Sequence, residues 1–290
     1  MIDREPPMFS TTLTLALALV ASAPAPEQVR PPAASLDYCA QPTARTAPEF
    51  ADDADETAQA EILLVRAGIG IAASQPDPDT CRQAFRQGED LFQRTLDRHL
   101  ANVGRGVERR RASDPAISAV QARIETQWAR DQAGRLAYSE LQTDDRTGAR
   151  FWAQRLATAH AVLTDAGSTA LMRDLLTRFD WIDSHRFGGT VSSHAWILVQ
   201  HADDHPGFQR LALDRMQGHL DDGGVRTRDY AYLWDRVAVN QGQPQRYGTQ
   251  PADVCNADGT LDFKPMEDPD RVDDRRRSVG LGPARDDLAR

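Results

Sequence analysis

Two residues that could do chemistry stand where the apolar pattern predicts core. His201 follows Ala195-Trp-Ile-Leu-Val199, a segment apolar on every side, and Asp235 interrupts a helix whose other positions are mostly apolar. A helix without a polar face belongs in the centre of a core, so at least one of Gln200 and His201 is carried inside with it. A histidine beside a carboxylate has its tautomer fixed and its basicity raised, which is what general acid–base catalysis requires. His201 and Asp235 are therefore the candidate catalytic pair. The same contact would serve equally well in a buried structural network.

Other polar residues share these segments. Ile117, Val120, Ile124 and Trp128 lead along one helix face to Asp131, Arg135 and Tyr138, and the four-residue spacing lets Asp131 and Arg135 pair on that face. Gln200, Arg236, Tyr247 and Gln250, with Asp131 and Arg135, are the candidate ligand-binding residues. In such a site Arg236 would anchor an anionic group and the amides would orient it. No metal and no cofactor is expected. His201 and His205 have a His-x3-His spacing, but Pro206 pushes His205 out of helical geometry, and Ala202 stands where a zinc protease would place its base. A Gly-x-Ser-x-Gly elbow is absent, and Ser192 and Ser193 read as helix-start residues. Gly68-Ile-Gly70 lies in a helical stripe without the strand and turn of a phosphate loop.

The elements that must position these groups are helices. Ala58, Ile62, Val65, Ile69 and Ala72 recur at alternating steps of four and three, as do Cys81, Phe85, Phe92, Leu96 and Val103, giving a helical hairpin closed by Ser74 to Pro78. Further helices are predicted near Ile117–Leu141, Arg150–Ala166 and Thr169–Phe179, then through Ala195–Val199. Another starts at Pro206 and stops at Gly223-Gly224, one is capped by Thr227 and stopped by Gly242, and a last short one lies near Pro269–Val279. Gln245–Gln250 and Thr260–Lys264 flank Asn256-Ala-Asp-Gly259 as a small β-hairpin. The expected fold class is mainly α, an orthogonal or bundle-like multi-helix domain with that hairpin near the carboxyl end. The Asp273–Arg277 run reads as a solvated helix face.

The expected organisation is a signal peptide over 1–25 with a possible start at Met8, a Pro/Ala-rich linker over 26–55, the helical hairpin over 56–112 and a helical domain over 113–290. The leader rests on the apolar stretch from Met8 to Ala23, which ends in Ala-x-Ala. It predicts a periplasmic or secreted location, where disulfides form. Of the three cysteines, Cys39 and Cys81 are the preferred pair, since their bridge would pin the linker onto the domain; Cys255 could replace either. With 34 basic against 43 acidic residues, a net charge of -9 argues against nucleic acid and anionic membranes as partners. No stable membrane insertion is expected once a signal is removed.

Several blocks in the second half of the chain resemble a bacterial family, the domain of unknown function 6624. They are Asp131-Gln132-x-x-Arg135, Ala195-Trp196-Ile-Leu-Val-Gln200-His201-Ala202-Asp203, Ala231-Tyr232-Leu233-Trp234-Asp235-Arg236-Val237 and Gln245-x-Tyr247-Gly248-Thr249-Gln250. Glu267-Asp268-Pro269, Arg276 and Val279-Gly280-Leu281 complete the set. The hairpin before Ile117 falls outside the resemblance, and the family pattern favours Asp where this chain has His205. The resemblance implies a shared polar centre and no established activity. The leading expectation is an exported domain binding a small polar ligand or a peptide end. The alternatives are a hydrolase or other acid–base enzyme using His201 and Asp235, and a structural domain meeting an envelope protein partner.

Overall fold

The computed structural model describes residues 37–39, 59–60, 63–68, 77–106, 112–252 and 262–288. The apolar run at Met8–Ala23, most of the 26–55 stretch, residues 74–76 of the hairpin turn, Cys255 and Asn256–Gly259 lie outside the described residues. The described chain is mainly helical: α1 (Pro78–Gly106), α2 (Pro115–Glu140), α3 (Ala149–Arg178), α4 (Ser184–Phe187), α5 (Gly189–Gln200), α6 (Pro206–Gln217), α7 (Thr227–Asn240), a 3-10 turn (Pro269–Arg271), α8 (Val272–Ser278) and α9 (Ala284–Leu288). Residues 59–60 and 63–68 are also helical.

Local chemistry starts these helices. Asp77 accepts from the amides of Asp79 and Thr80 just ahead of Pro78, and Asp114 accepts from Ala116 and Ile117 around Pro115. Each pairs a capping carboxylate with a proline at the first helical position, where the missing N–H costs nothing. Pro206 opens α6 at the same first helical position, without a side-chain cap, and His205 is its non-helical flanking residue.

α1, α2 and α3 form a sheaf in which each touches the other two, and α5 lies across α2 and α3. α2 and α5 run side by side in parallel with a constant register. The Gln121 side chain donates to the Phe187 carbonyl, Trp128 stacks on His194 with ring centroids 3.7 Å apart, and Arg135 meets His201. Partners in every pair are 66 residues apart, and successive layers are a heptad apart, the repeat that keeps two helices in contact along one seam.

Two apolar clusters fill the interior. One joins α2, α3, α5, α6 and α7 through Ile124, Leu175, Leu198, Phe208, Met216 and Leu233. The other joins Cys39, Leu64, Phe92, Trp152 and Leu156. Cys39 and Cys81 form a disulfide with Cα atoms 5.7 Å apart. Tyr38 beside it packs on Phe85 and Trp152. Gly68, dismissed above as a phosphate loop, has a packing role: a Cβ there would lie 1.9 Å from the Tyr38 carbonyl oxygen.

The structure corrects several expectations. The two helices predicted around residue 167 are one, Ala149–Arg178, because Ser168 donates to the Thr164 carbonyl and the Gln127 amide reaches both groups across the small Gly167. α6 stops at Gln217, ahead of Gly223-Gly224, and Thr227 does not cap α7: its hydroxyl donates to the Val279 carbonyl.

The small β-hairpin is not seen, and the described residues contain no sheet, only two isolated bridges, Gln245 to Met266 and Pro251 to Phe263. Pro244, Pro251 and Gly248 (φ +61°) cannot continue a ladder. The buried Gln245 amide fills the gap instead, donating to the carbonyls of Gln250 and Lys264 and accepting from the Gln250 amide. Finally, Arg276, expected on a solvated face, is fully buried.

Candidate functional site

The heptad seam between α2 and α5 ends on a cluster of charges. His201, at the carboxyl end of α5, places Nδ1 2.9 Å from Asp131 Oδ1. A carboxylate can only accept, so the shared proton belongs to the imidazole, which is thereby fixed as the Nδ1–H tautomer with Nε2 left available. Arg135 Nε lies 3.0 Å from the same carboxylate oxygen and 3.1 Å from the imidazole, while its terminal nitrogen donates at 2.7 Å to Asp165 on α3. Gln132 donates to the other Asp131 oxygen at 2.7 Å.

Exposure is graded across this cluster. The Asp131 side chain is 1% exposed, His201 21%, Asp165 27% and Arg135 38%. The anchor is buried and the groups it holds reach solvent. The electrostatics follow the same order. Burial raises the Asp131 carboxyl, yet the hydrogen bond and charge of His201, with Arg135 and Gln132, leave it below its ordinary value. Asp165 is pushed up to about 7, by burial foremost and by the like charges of Asp131 and Asp203, against the pull of Arg135. A carboxyl that gains and loses its proton near neutrality thus faces a histidine of fixed tautomer across one guanidinium.

Asp131, Asp165 and His201 each offer a ligand atom within 4.8 Å of the others, so they could converge on a metal ion. The Arg135 guanidinium, bonded to both carboxylates, already supplies the positive charge between them.

Asp235 stands elsewhere. Its carboxylate accepts from the backbone amides of Arg246, Tyr247 and Thr249 and from the Thr249 hydroxyl, and His201 is not among its partners. Its own oxygens are therefore already occupied by the loop that follows α7. Burial pushes this carboxyl up, while the amide donors pull it down. Arg276 closes the same loop from below, donating to the carbonyls of Tyr247, Gly248 and Gly282 and pairing with Asp287.

Tyr247 packs edge-on to Trp234, and burial raises its hydroxyl pKa. The Gln250 side chain donates to the Thr249 hydroxyl. Arg236 pairs with Asp203 at 2.6 Å, and Asp203 also accepts from Asn240 and Gln209. Gln200 is buried, its Nε2 without a hydrogen-bond partner.

Of the expected site residues, then, Asp131, Arg135 and His201 come together, Gln200 adjoins them in the chain, and Arg236 joins Asp203 just beyond. Asp235, Tyr247 and Gln250 belong to the loop closure. Sequence reasoning missed Asp165 and the fully buried Gln209, which donates to the carbonyls of Val199 and Gln200 at the end of α5. Asp165 lies within the helix predicted near Arg150–Ala166 but one position off its buried Ala157, His160 and Thr164, so periodicity carried no signal for it.

The fold and this cluster define a mainly helical domain with a histidine–carboxylate–arginine centre where α2, α3 and α5 meet. A family model of unknown function, DUF6624, matches residues 122–289, and the chain belongs to that family. The match spans α3, α5 and α2 from residue 122 onward, so every residue of the centre lies inside it. No curated protein and no solved structure matches the chain. No described helix is long and apolar enough to cross a membrane.

Proposed function

We propose that the centre performs acid–base chemistry on a small polar ligand. His201 exchanges a proton through Nε2, Asp131 holds the ring through Nδ1–H, and Asp165 carries the second exchangeable proton. Arg135 steadies negative charge that develops between them. The observation that carries this reading is the gradient of exposure from the sealed Asp131 to the solvent-reaching His201, Asp165 and Arg135.

The test is chemical modification of the full chain with diethyl pyrocarbonate, read by peptide mass, beside a panel of ester, amide and phosphoester substrates. His201 should react, and Asp131→Asn should slow that reaction about tenfold by removing the carboxylate that accepts from Nδ1 and holds the ring. Any hydrolysis found should fall by about 10²-fold or more in His201→Gln, the usual contribution of a general base. Protection of His201 while the exposed His185 reacts, or a rate indifferent to Asp131→Asn, would end the proposal.

A second reading, a binding module without chemistry, is favoured by the Nε2 of Gln200 and the Nε of Arg236, both buried without hydrogen-bond partners. Such atoms gain from a ligand that supplies acceptors. Under it, ligand would stabilise wild type and His201→Gln alike.

The Cys39–Cys81 disulfide also supports export, because such bonds persist in oxidising compartments. Expressed with a carboxyl-terminal tag in a bacterium, the chain should fractionate outside the cytoplasm. Retention inside, with both cysteines reduced, counts against export.

A further inference from the structure

A second site lies between the helical residues 63–68 and the first turns of α3. A cavity of about 460 Å³ opens there, within the range of small-molecule sites. Among the described residues its wall carries three arginines, Arg66, Arg146 and Arg155, beside Thr147 and the apolar Leu63 and Phe151. Asp145, beside Arg146 in the chain, accepts from the amides of Thr147 and Gly148.

Arg155 is the most informative of the three. Its guanidinium lies 4.9 Å over the Phe151 ring, and its Nε is buried without a hydrogen-bond partner. A buried N–H that lacks an acceptor costs free energy which an incoming acceptor recovers. The guanidinium groups of Arg146 and Arg155 beside an apolar wall suit an oxyanion of more than one charge attached to an apolar body.

We propose that this cavity binds a small organic phosphate, its phosphoryl oxygens held by Arg146 and Arg155 and its apolar part lying on Leu63 and Phe151. A phosphate monoester carries nearly two negative charges at neutral pH, against one for a carboxylate, and guanidinium geometry matches its paired oxygens. The site is separate from the acid–base centre and does not depend on it.

Calorimetric titration of the full oxidised chain with phenyl phosphate, and with benzoate as the singly charged counterpart, tests the assignment. Phenyl phosphate should bind saturably, at least tenfold more tightly than benzoate, and more weakly as salt rises. Arg155→Met, which keeps the apolar stem over Phe151, and Arg146→Gln, at an exposed position, should each weaken binding about tenfold or more. No binding to wild type at millimolar phenyl phosphate, equal binding of benzoate, or binding unchanged in both variants would overturn the proposal. Since Arg146 is exposed, its variant reports even if Arg155→Met misfolds.

Discussion

The centre at Asp131 and the loop closure at Asp235 use the same kinds of residue for different ends. Each contains a carboxylate with almost no exposure on a core helix and an arginine within reach of the same elements. They differ in what those charges face. Asp235 and Arg276 are bonded chiefly to backbone amides and carbonyls, and both are sealed. Asp131 and Arg135 are bonded to other ionisable side chains, and exposure grows outward from Asp131. A charge that satisfies backbone groups fixes a loop. A charge that satisfies titratable groups stores a proton equilibrium, and that equilibrium is open to solvent only at the second place.

Breaking each region separately gives the largest contrast. Arg276→Met leaves the carbonyls of Tyr247, Gly248 and Gly282 without their donor and Asp287 without its partner, and should cost about 3–5 kcal/mol in denaturant unfolding, as loss of one member of a buried pair does. His201→Gln should cost only about 1 kcal/mol, because the residue is partly exposed and a glutamine amide can still donate to Asp131. Equal losses would make the Asp131 centre a second structural clamp and remove the distinction.

A smaller effect sharpens it through pH. Asp165 binds its proton more tightly in the fold than its ordinary value of 3.8 allows, with a folded value of about 7. Its contribution to stability is therefore complete below about pH 4 and is lost as pH climbs through 7. Asp165→Asn should gain stability relative to wild type across that window and run parallel to it above. His160 and His194 act in the opposite direction. Burial lowers both from 6.5 to about 4, so what they contribute is present above pH 6.5 and is lost as pH falls toward 4. His160→Phe should flatten that acid limb. Melting temperatures from pH 4 to 8 for the three chains check both directions, and an Asp165→Asn curve parallel to wild type throughout would mean that this carboxyl does not titrate near neutrality.

Much of this was legible in the residues. Asp114-Pro115 and Pro206 marked helix starts, the four-residue step predicted the Asp131–Arg135 pair, and the apolar segment before His201 placed that histidine at the edge of the core. What escaped was the choice of partner. Asp235 and Asp131 offer the same carboxylate at similar depth, and helical periodicity says which face a residue occupies but not which distant element lies opposite. Asp165 escaped because it lies off the buried face of its own helix and gains its role only from Arg135 on α2. The hairpin failed for a related reason: alternation and turn residues matched a strand pair, but a glutamine side chain took the place of the ladder.

Sequence alone determined the helical class, the buried ends of the apolar stripes and which positions had to hide a charge, because periodicity, capping and burial are local or nearly local constraints. Only the tertiary structure decided that His201 meets Asp131 while Asp235 binds a loop. Hydrogen-bond partnership depends on a register between helices some 66 residues apart, and no short-range rule carries that distance.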